Sequence, residues 1–356
     1  MLSLKPLHLE SQHSLGANLL KATLVLLTMA LAASGAWLGA QGAKSGMLAA
    51  ERKELARQRR SNRLRNHAPG SWIKESGESK EMSEPSLKIE TPGVSAPFYK
   101  VLSKALKKRK LKLEAVCPFG DSVSRRVLED YGAVYVASSK VLPPPVCMFL
   151  SEEEVKAFQE RAGFTSALID YAEIELQPEA MKQLLKAREQ ANKEGLDITP
   201  RGGSEAARRN YEDTLRLWDT RFLPALSYWN EKGRLSAADV ERLRRLPLRE
   251  QVAQVLELEK SGIFFSKDFS KSILYSIAAP GASQHIAMLA LDVTEFENPR
   301  VREILAEHGW FQTVLSDLPH FTFLGHKEKD LPKHGLRPVI SGNQLFWIPN
   351  IEREAD

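Results

Sequence analysis

Through residues 151–192 and again over 204–260 the apolar positions recur three and four apart, the period of helices with one buried face. The stretch 176–191 predicts a helix that stops at Gly195, followed by a short strand over 196–199. In the second stretch Trp218, Phe222, Tyr228 and Trp229 stand at spacings that suit a packed core better than a ligand stack. From Ile263 onward the pattern predicts strands, ending with one over 344–348. Upstream, 98–150 predicts a small α/β module: a basic helix, a strand over 113–117, a helix over 122–131 and a strand over 133–137. Pro143, Pro144 and Pro145 then close it. A run of helices followed by a run of strands favours an α+β fold, with a small antiparallel sheet packed on helices, over alternating βαβ units. No internal repeat interrupts the pattern.

The first 97 residues differ from this. Residues 22–43 carry no charge and are long enough to span a bilayer, for which about 20 apolar residues suffice. Such a segment is either a signal peptide or a signal anchor. Residues 44–65 then hold eight Lys or Arg against two Glu, a local balance of +6 in a chain whose net charge is +5. The remainder is therefore near neutral, which argues against nucleic acid as a partner, as does the lack of aromatics interleaved with the basic residues. Residues 66–97 are rich in Pro, Gly, Ser and charge and predict a tether. The division expected is thus 1–43, 44–97, a module at 98–150 and a larger domain at 151–356 of the 356 residues. The basic run from Lys104 to Lys112 is either a solvated helix face or a contact for anionic wall polymers or lipid headgroups. Cys117 and Cys147, the only cysteines, are either a disulfide or two buried thiols, too few for a structural zinc site. His326 and His334 lie in a charged loop and are expected at the surface.

The candidate chemistry lies near the C-terminal end. Ser283-Gln-His-Ile-Ala-Met-Leu-Ala-Leu-Asp292 supplies His285 and Asp292 where a Pro280-Gly281 turn leads into a strand, and Asp317-Leu-Pro-His320 supplies a second histidine and carboxylate. Catalytic zinc takes three protein ligands and keeps a fourth position open, so His285, Asp292 and His320 are the expected metal ligands and Asp317 the expected base.

These residues resemble the zinc D-Ala-D-Ala carboxypeptidases and dipeptidases of the VanY and VanX type, whose signature S-x-H-x-x-G-x-A-x-D is followed by E-x-x-H. Ser283, His285, Ala290, Asp292 and His320 match; Met288 stands at the family's Gly and Asp317 at its Glu. The likeness spans about residues 170–325, including a helix, a Gly and a short strand before the family's Ser-Gly-Tyr-Arg-Ser element, here Pro200-Arg-Gly-Gly-Ser204. Gly203 falls at the family's arginine, so Arg201, read as ending the strand, is the first choice for the guanidinium and Arg209, read as inside a helix, the second. The resemblance implies the fold of the hedgehog and D-Ala-D-Ala metallopeptidases, a Zn2+ cofactor, Ser283 at the substrate or behind His285, and cleavage of peptidoglycan stem peptides in the cell envelope. It places the enzyme outside the membrane, through a cleaved signal or an uncleaved membrane anchor, although positive charge after the apolar segment favours the cytoplasmic side. A wall-binding protein that keeps the zinc fold with little or no catalysis is the rival reading, and a membrane-anchored scaffold the third.

Overall fold

The structure, a computed structural model, describes residues 96–351 apart from Phe119. The expected apolar segment, the basic segment and nearly all of the tether lie outside the described residues. Among the described residues no helix is long and apolar enough to cross a membrane.

The described chain mixes helices with three small antiparallel sheets. It opens with α1 (Pro97–Lys108), α2 (Leu113–Val116) and α3 (Ser122–Tyr131). α1 buries Phe98, Tyr99, Leu102 and Leu106 along one face, while Lys100, Lys104, Lys107 and Lys108 are exposed. Two strands expected here are absent. Residues 113–116 form the single turn α2, in which the Cys117 N–H bonds back to the Leu113 carbonyl, and residues 132–136 wind as a 3-10 helix whose residues are all buried. A short apolar run buried on all sides has no alternation from which strand and helix could be told apart. Cys117 and Cys147 form a disulfide, closing a loop worth about 3–4 kcal/mol in the chain-entropy account.

α4 (Glu152–Ala162) starts at Ser151, whose hydroxyl accepts the Glu154 N–H, the usual N-cap contact. It leads into a hairpin of β1 (Thr165–Ile169) and β2 (Ala172–Leu176). That hairpin breaks the run expected to be mostly helical: the residues of β2 alternate in burial with the period of a strand. α5 (Pro178–Lys193) begins two residues later than the pattern suggests, with proline in its first turn, where a missing N–H costs nothing. Residues 196–199 make no strand. They pass beside the sheet, where Pro200 bridges Val293 and the Thr294 N–H bonds to the Thr199 carbonyl.

α6 (Tyr211–Glu231), α7 (Ala237–Arg245) and α8 (Leu248–Lys260) supply the long helices expected. Asn210 and Ser236 open the first two with capping boxes. Trp218 and Phe222 are fully buried and stack in line with Phe265, as the core reading requires. Strands resume later than Ile263: residues 263–289 are loop and 3-10 turns, and β3 (Ala290–Asp292) comes first. After α9 (Pro299–Glu307) follow β4 (Trp310–Gln312), β5 (His320–Phe323), β6 (Leu336–Ser341) and β7 (Gln344–Pro349). The central sheet has the order β3-β5-β4, and β6 pairs with β7. One hydrophobic core runs from Ala96 in the first turn to Trp347 in the last strand. His326 and His334, expected at the surface, are instead half-buried with their rings stacked 3.6 Å apart, and His326 Nε2 donates to the Val136 carbonyl at 2.9 Å.

Candidate metal centre

The turn before β3 carries the first candidate ligand, His285. Gly281 is required there by space: a Cβ would lie 2.0 Å from the Phe149 carbonyl oxygen, and the Phe149 N–H bonds to the Gly281 carbonyl at 2.9 Å. The Ser283 hydroxyl then accepts the His285 N–H at 3.4 Å and opens a 3-10 turn over Gln284–Ala287. Ser283 thereby acts on the path of the His285 backbone. The turn ends at Met288 with φ +54°, in the left-handed region. This is the position at which the resembling motif has glycine, the residue that enters that region without a Cβ penalty.

Three groups from elsewhere in the chain hold the turn. Gln159 Nε2, from α4, donates to the Ile286 carbonyl at 3.1 Å. Gln177, just ahead of α5, donates its side-chain Nε2 to the Ala287 carbonyl and its backbone N–H to the Met288 carbonyl. The Arg209 N–H meets the His285 carbonyl at 3.4 Å. Successive backbone acceptors of a buried turn are thus satisfied, as burial demands. Nothing in a motif search marks these glutamines, because their role is to bond backbone brought near them by the fold.

The other two candidate ligands come from paired strands. Asp292 ends β3, His320 begins β5, and the two are register partners, so their side chains stand side by side on one face. His285 Nε2 lies 3.1 Å from His320 Nδ1 and 3.3 Å from Asp292 Oδ1, and His320 Nδ1 lies 3.2 Å from the same carboxylate oxygen. His285 and His320 are buried, while the Asp292 side chain keeps 14% of its surface. His285, Asp292 and His320 therefore form a group that could hold a metal ion.

Each of the three side chains has an outer partner. His285 Nδ1 faces the Ala207 carbonyl at 3.3 Å and His320 Nε2 faces Gln284 Oε1 at 2.9 Å. Asp292 Oδ2 accepts from the Arg209 guanidinium at 2.9 Å. Burial, and then the charge of Arg209, push the His285 pKa down to about 4, so its imidazole is neutral at pH 7.

The two candidate arginines are placed differently. Arg209 lies in the loop before α6 rather than inside a helix, because Asn210 caps that helix and sets its start; it is spent on Asp292. Arg201 follows Pro200, its N–H bonds to the Asp292 carbonyl at 2.8 Å, and its guanidinium lies over the Phe296 ring at 5.4 Å with its side chain exposed. Asp317 stands in the turn before β5, where the His320 N–H bonds to its carbonyl. It is open to solvent yet crowded by protein atoms, which pushes its carboxyl pKa up; His320, Asp292, Arg209 and Arg201 are all close enough to act on its charge.

No protein-family model matches this chain, and no curated protein matches it.

Proposed function

We propose that the protein is a zinc-dependent D-alanyl-D-alanine carboxypeptidase of the bacterial cell envelope, acting on peptidoglycan stem peptides, with the fold of the hedgehog and D-Ala-D-Ala metallopeptidases. The observation that carries this reading is the spacing of the three donor atoms, 3.1, 3.2 and 3.3 Å apart. A tetrahedral ion with bonds of about 2.0 Å has ligand edges of about 3.3 Å. Two imidazoles and one carboxylate are also a donor set that suits zinc and leaves a fourth position for a reactant.

Zinc bound there supplies Lewis acidity, polarising a carbonyl and acidifying water toward a pKa of about 7. The rest falls to the chain. Asp317 accepts the proton of the attacking water and returns it to the leaving amine, and its raised pKa brings it nearer the pH at which a base of this kind works best. Arg201, exposed beside β3, takes the terminal carboxylate of the peptide through paired hydrogen bonds. Arg209 fixes the Asp292 carboxylate so that Oδ1 faces the two imidazoles. Ser283 keeps His285 in place through the backbone.

The test is incubation of the purified full chain with a pentapeptide stem ending in D-Ala-D-Ala, followed by mass spectrometry and elemental analysis of the protein. Release of one D-Ala, with one zinc per chain and loss of both in His285→Ala, is the expected result. Bound zinc with an intact pentapeptide would favour the wall-binding reading. Iron in place of zinc would overturn the assignment, because two histidines and a carboxylate also serve ferrous sites.

A further inference from the structure

Gln284 lies inside the matched motif at a position to which neither the motif nor the resemblance gives a role, yet it is almost fully buried, 2% exposed, and both polar atoms of its side chain are engaged. Its Nε2 donates to the Tyr131 carbonyl at 2.8 Å. A carbonyl oxygen can only accept, so this contact fixes which end of the carboxamide is nitrogen and leaves Oε1 as the acceptor at the other end. Oε1 takes the Thr322 hydroxyl and faces His320 Nε2 at 2.9 Å. With the Thr322 proton committed to Gln284, the Thr313 hydroxyl is the donor in the 2.7 Å contact between the two threonines. Every proton in this buried chain then has one consistent direction.

The consequence falls on His320. An amide oxygen opposite Nε2 requires a proton on Nε2, and a neutral imidazole that carries its proton there bears a lone pair on Nδ1. Nδ1 is the atom that faces Asp292 and His285. On the other side of the centre the Ala207 carbonyl does the same to His285, asking for a proton on Nδ1 and leaving Nε2 bare. Three lone-pair atoms then converge without a proton among them, an arrangement stabilised by a cation.

We infer that Gln284 is a positioning residue that selects the Nε2–H tautomer of His320 and thereby presents its Nδ1 lone pair to the metal. The inference rests on the metal reading above, but the tautomer can be observed with no metal present. The experiment uses the full chain labelled with 15N-histidine, stripped with a chelator, and two-bond proton–nitrogen correlation spectra, with the His320 signals identified by their loss in His320→Gln. The wild type should show the Nε2–H form. Gln284→Met, which keeps the length but removes donor and acceptor, should admit the Nδ1–H form and weaken zinc binding by about 10- to 100-fold in competition with a chelating dye. Gln284→Glu, which restores an acceptor to His320, should return the Nε2–H form and most of the lost affinity. A merely structural glutamine would change the melting temperature of both variants without moving the tautomer. An Nδ1–H signal in the metal-free wild type, or an unchanged tautomer and affinity in Gln284→Met, overturns the inference, and the first needs no variant to fold. A wild type that shows the Nε2–H form but takes up no zinc would sink the zinc reading while leaving the tautomer selection in place.

Discussion

Two arginines of the same charge are divided by position. Arg209 is bonded to a carboxylate of the candidate metal centre, whereas Arg201 is exposed beside it. Arg209→Ala should therefore act on the centre itself, lowering zinc affinity about 10- to 100-fold as loss of a ligand's hydrogen-bond partner does. Arg201→Ala should leave zinc bound and lower kcat/KM by roughly 10- to 150-fold, the worth of one charge-assisted contact. Zinc titration and steady-state kinetics on both variants check the division, and the reverse pattern would exchange the roles. Asp317→Asn should keep zinc and lose about 10²- to 10⁴-fold in turnover. The pH dependence has a definite sign. The folded protein raises the Asp317 pKa, so this group favours folding below its unfolded pKa, and that contribution is lost as pH rises through the folded pKa. Asp317→Asn should thus stabilise the metal-free protein at neutral pH while lowering turnover, and a melting curve that shows destabilisation would refute the account of its crowded setting.

At the scale of elements, the turn into β3 shows why a motif can change a residue and keep its geometry. Met288 adopts the left-handed conformation expected of glycine, at a backbone cost of about 1–2 kcal/mol for a residue with a Cβ. Its side chain is fully buried, and removing a buried Met side chain costs about 2–5 kcal/mol. Burial outweighs strain. Met288→Gly should therefore restore the residue of the resembling motif and still lose about 2 kcal/mol in denaturant unfolding, with the zinc site kept because Gln177 holds the same carbonyls. A gain in stability would show that the side chain packs loosely.

For the whole molecule, the candidate ligands come from two strands and a turn that belong to one continuous core. An ion that binds only the folded state should then stabilise all of it by mass action, about 2.7 kcal/mol at a hundredfold excess over Kd. At about 2–4 °C per kcal/mol for a domain of this size, the melting temperature of the full chain should rise by about 5–10 °C with zinc and not at all in His285→Ala. Calorimetry with and without a chelator checks this, and equal shifts in both proteins would move the zinc elsewhere.

The cluster of His285, Asp292 and His320 was legible in the chain through the likeness of residues 283–292 and 317–320 to a family signature, and the fold brings the three side chains together as a group that could hold a metal ion. The long helices and the buried Trp218 and Phe222 were legible through their 3.6-residue period. Residues 113–117 and 132–136 were not, since a run buried on every side carries no period at all. The β1–β2 hairpin was missed beside strong helical patterns, and His326 and His334 lie in a polar stretch whose partner, the Val136 carbonyl bonded to His326, is far away in sequence. Above all, Gln159, Gln177 and Gln284 were invisible. A glutamine acquires its role from the backbone and ring atoms that tertiary contacts bring within 3 Å or so of its amide, so the donors of the centre could be read from sequence, and the groups that aim them only from the fold.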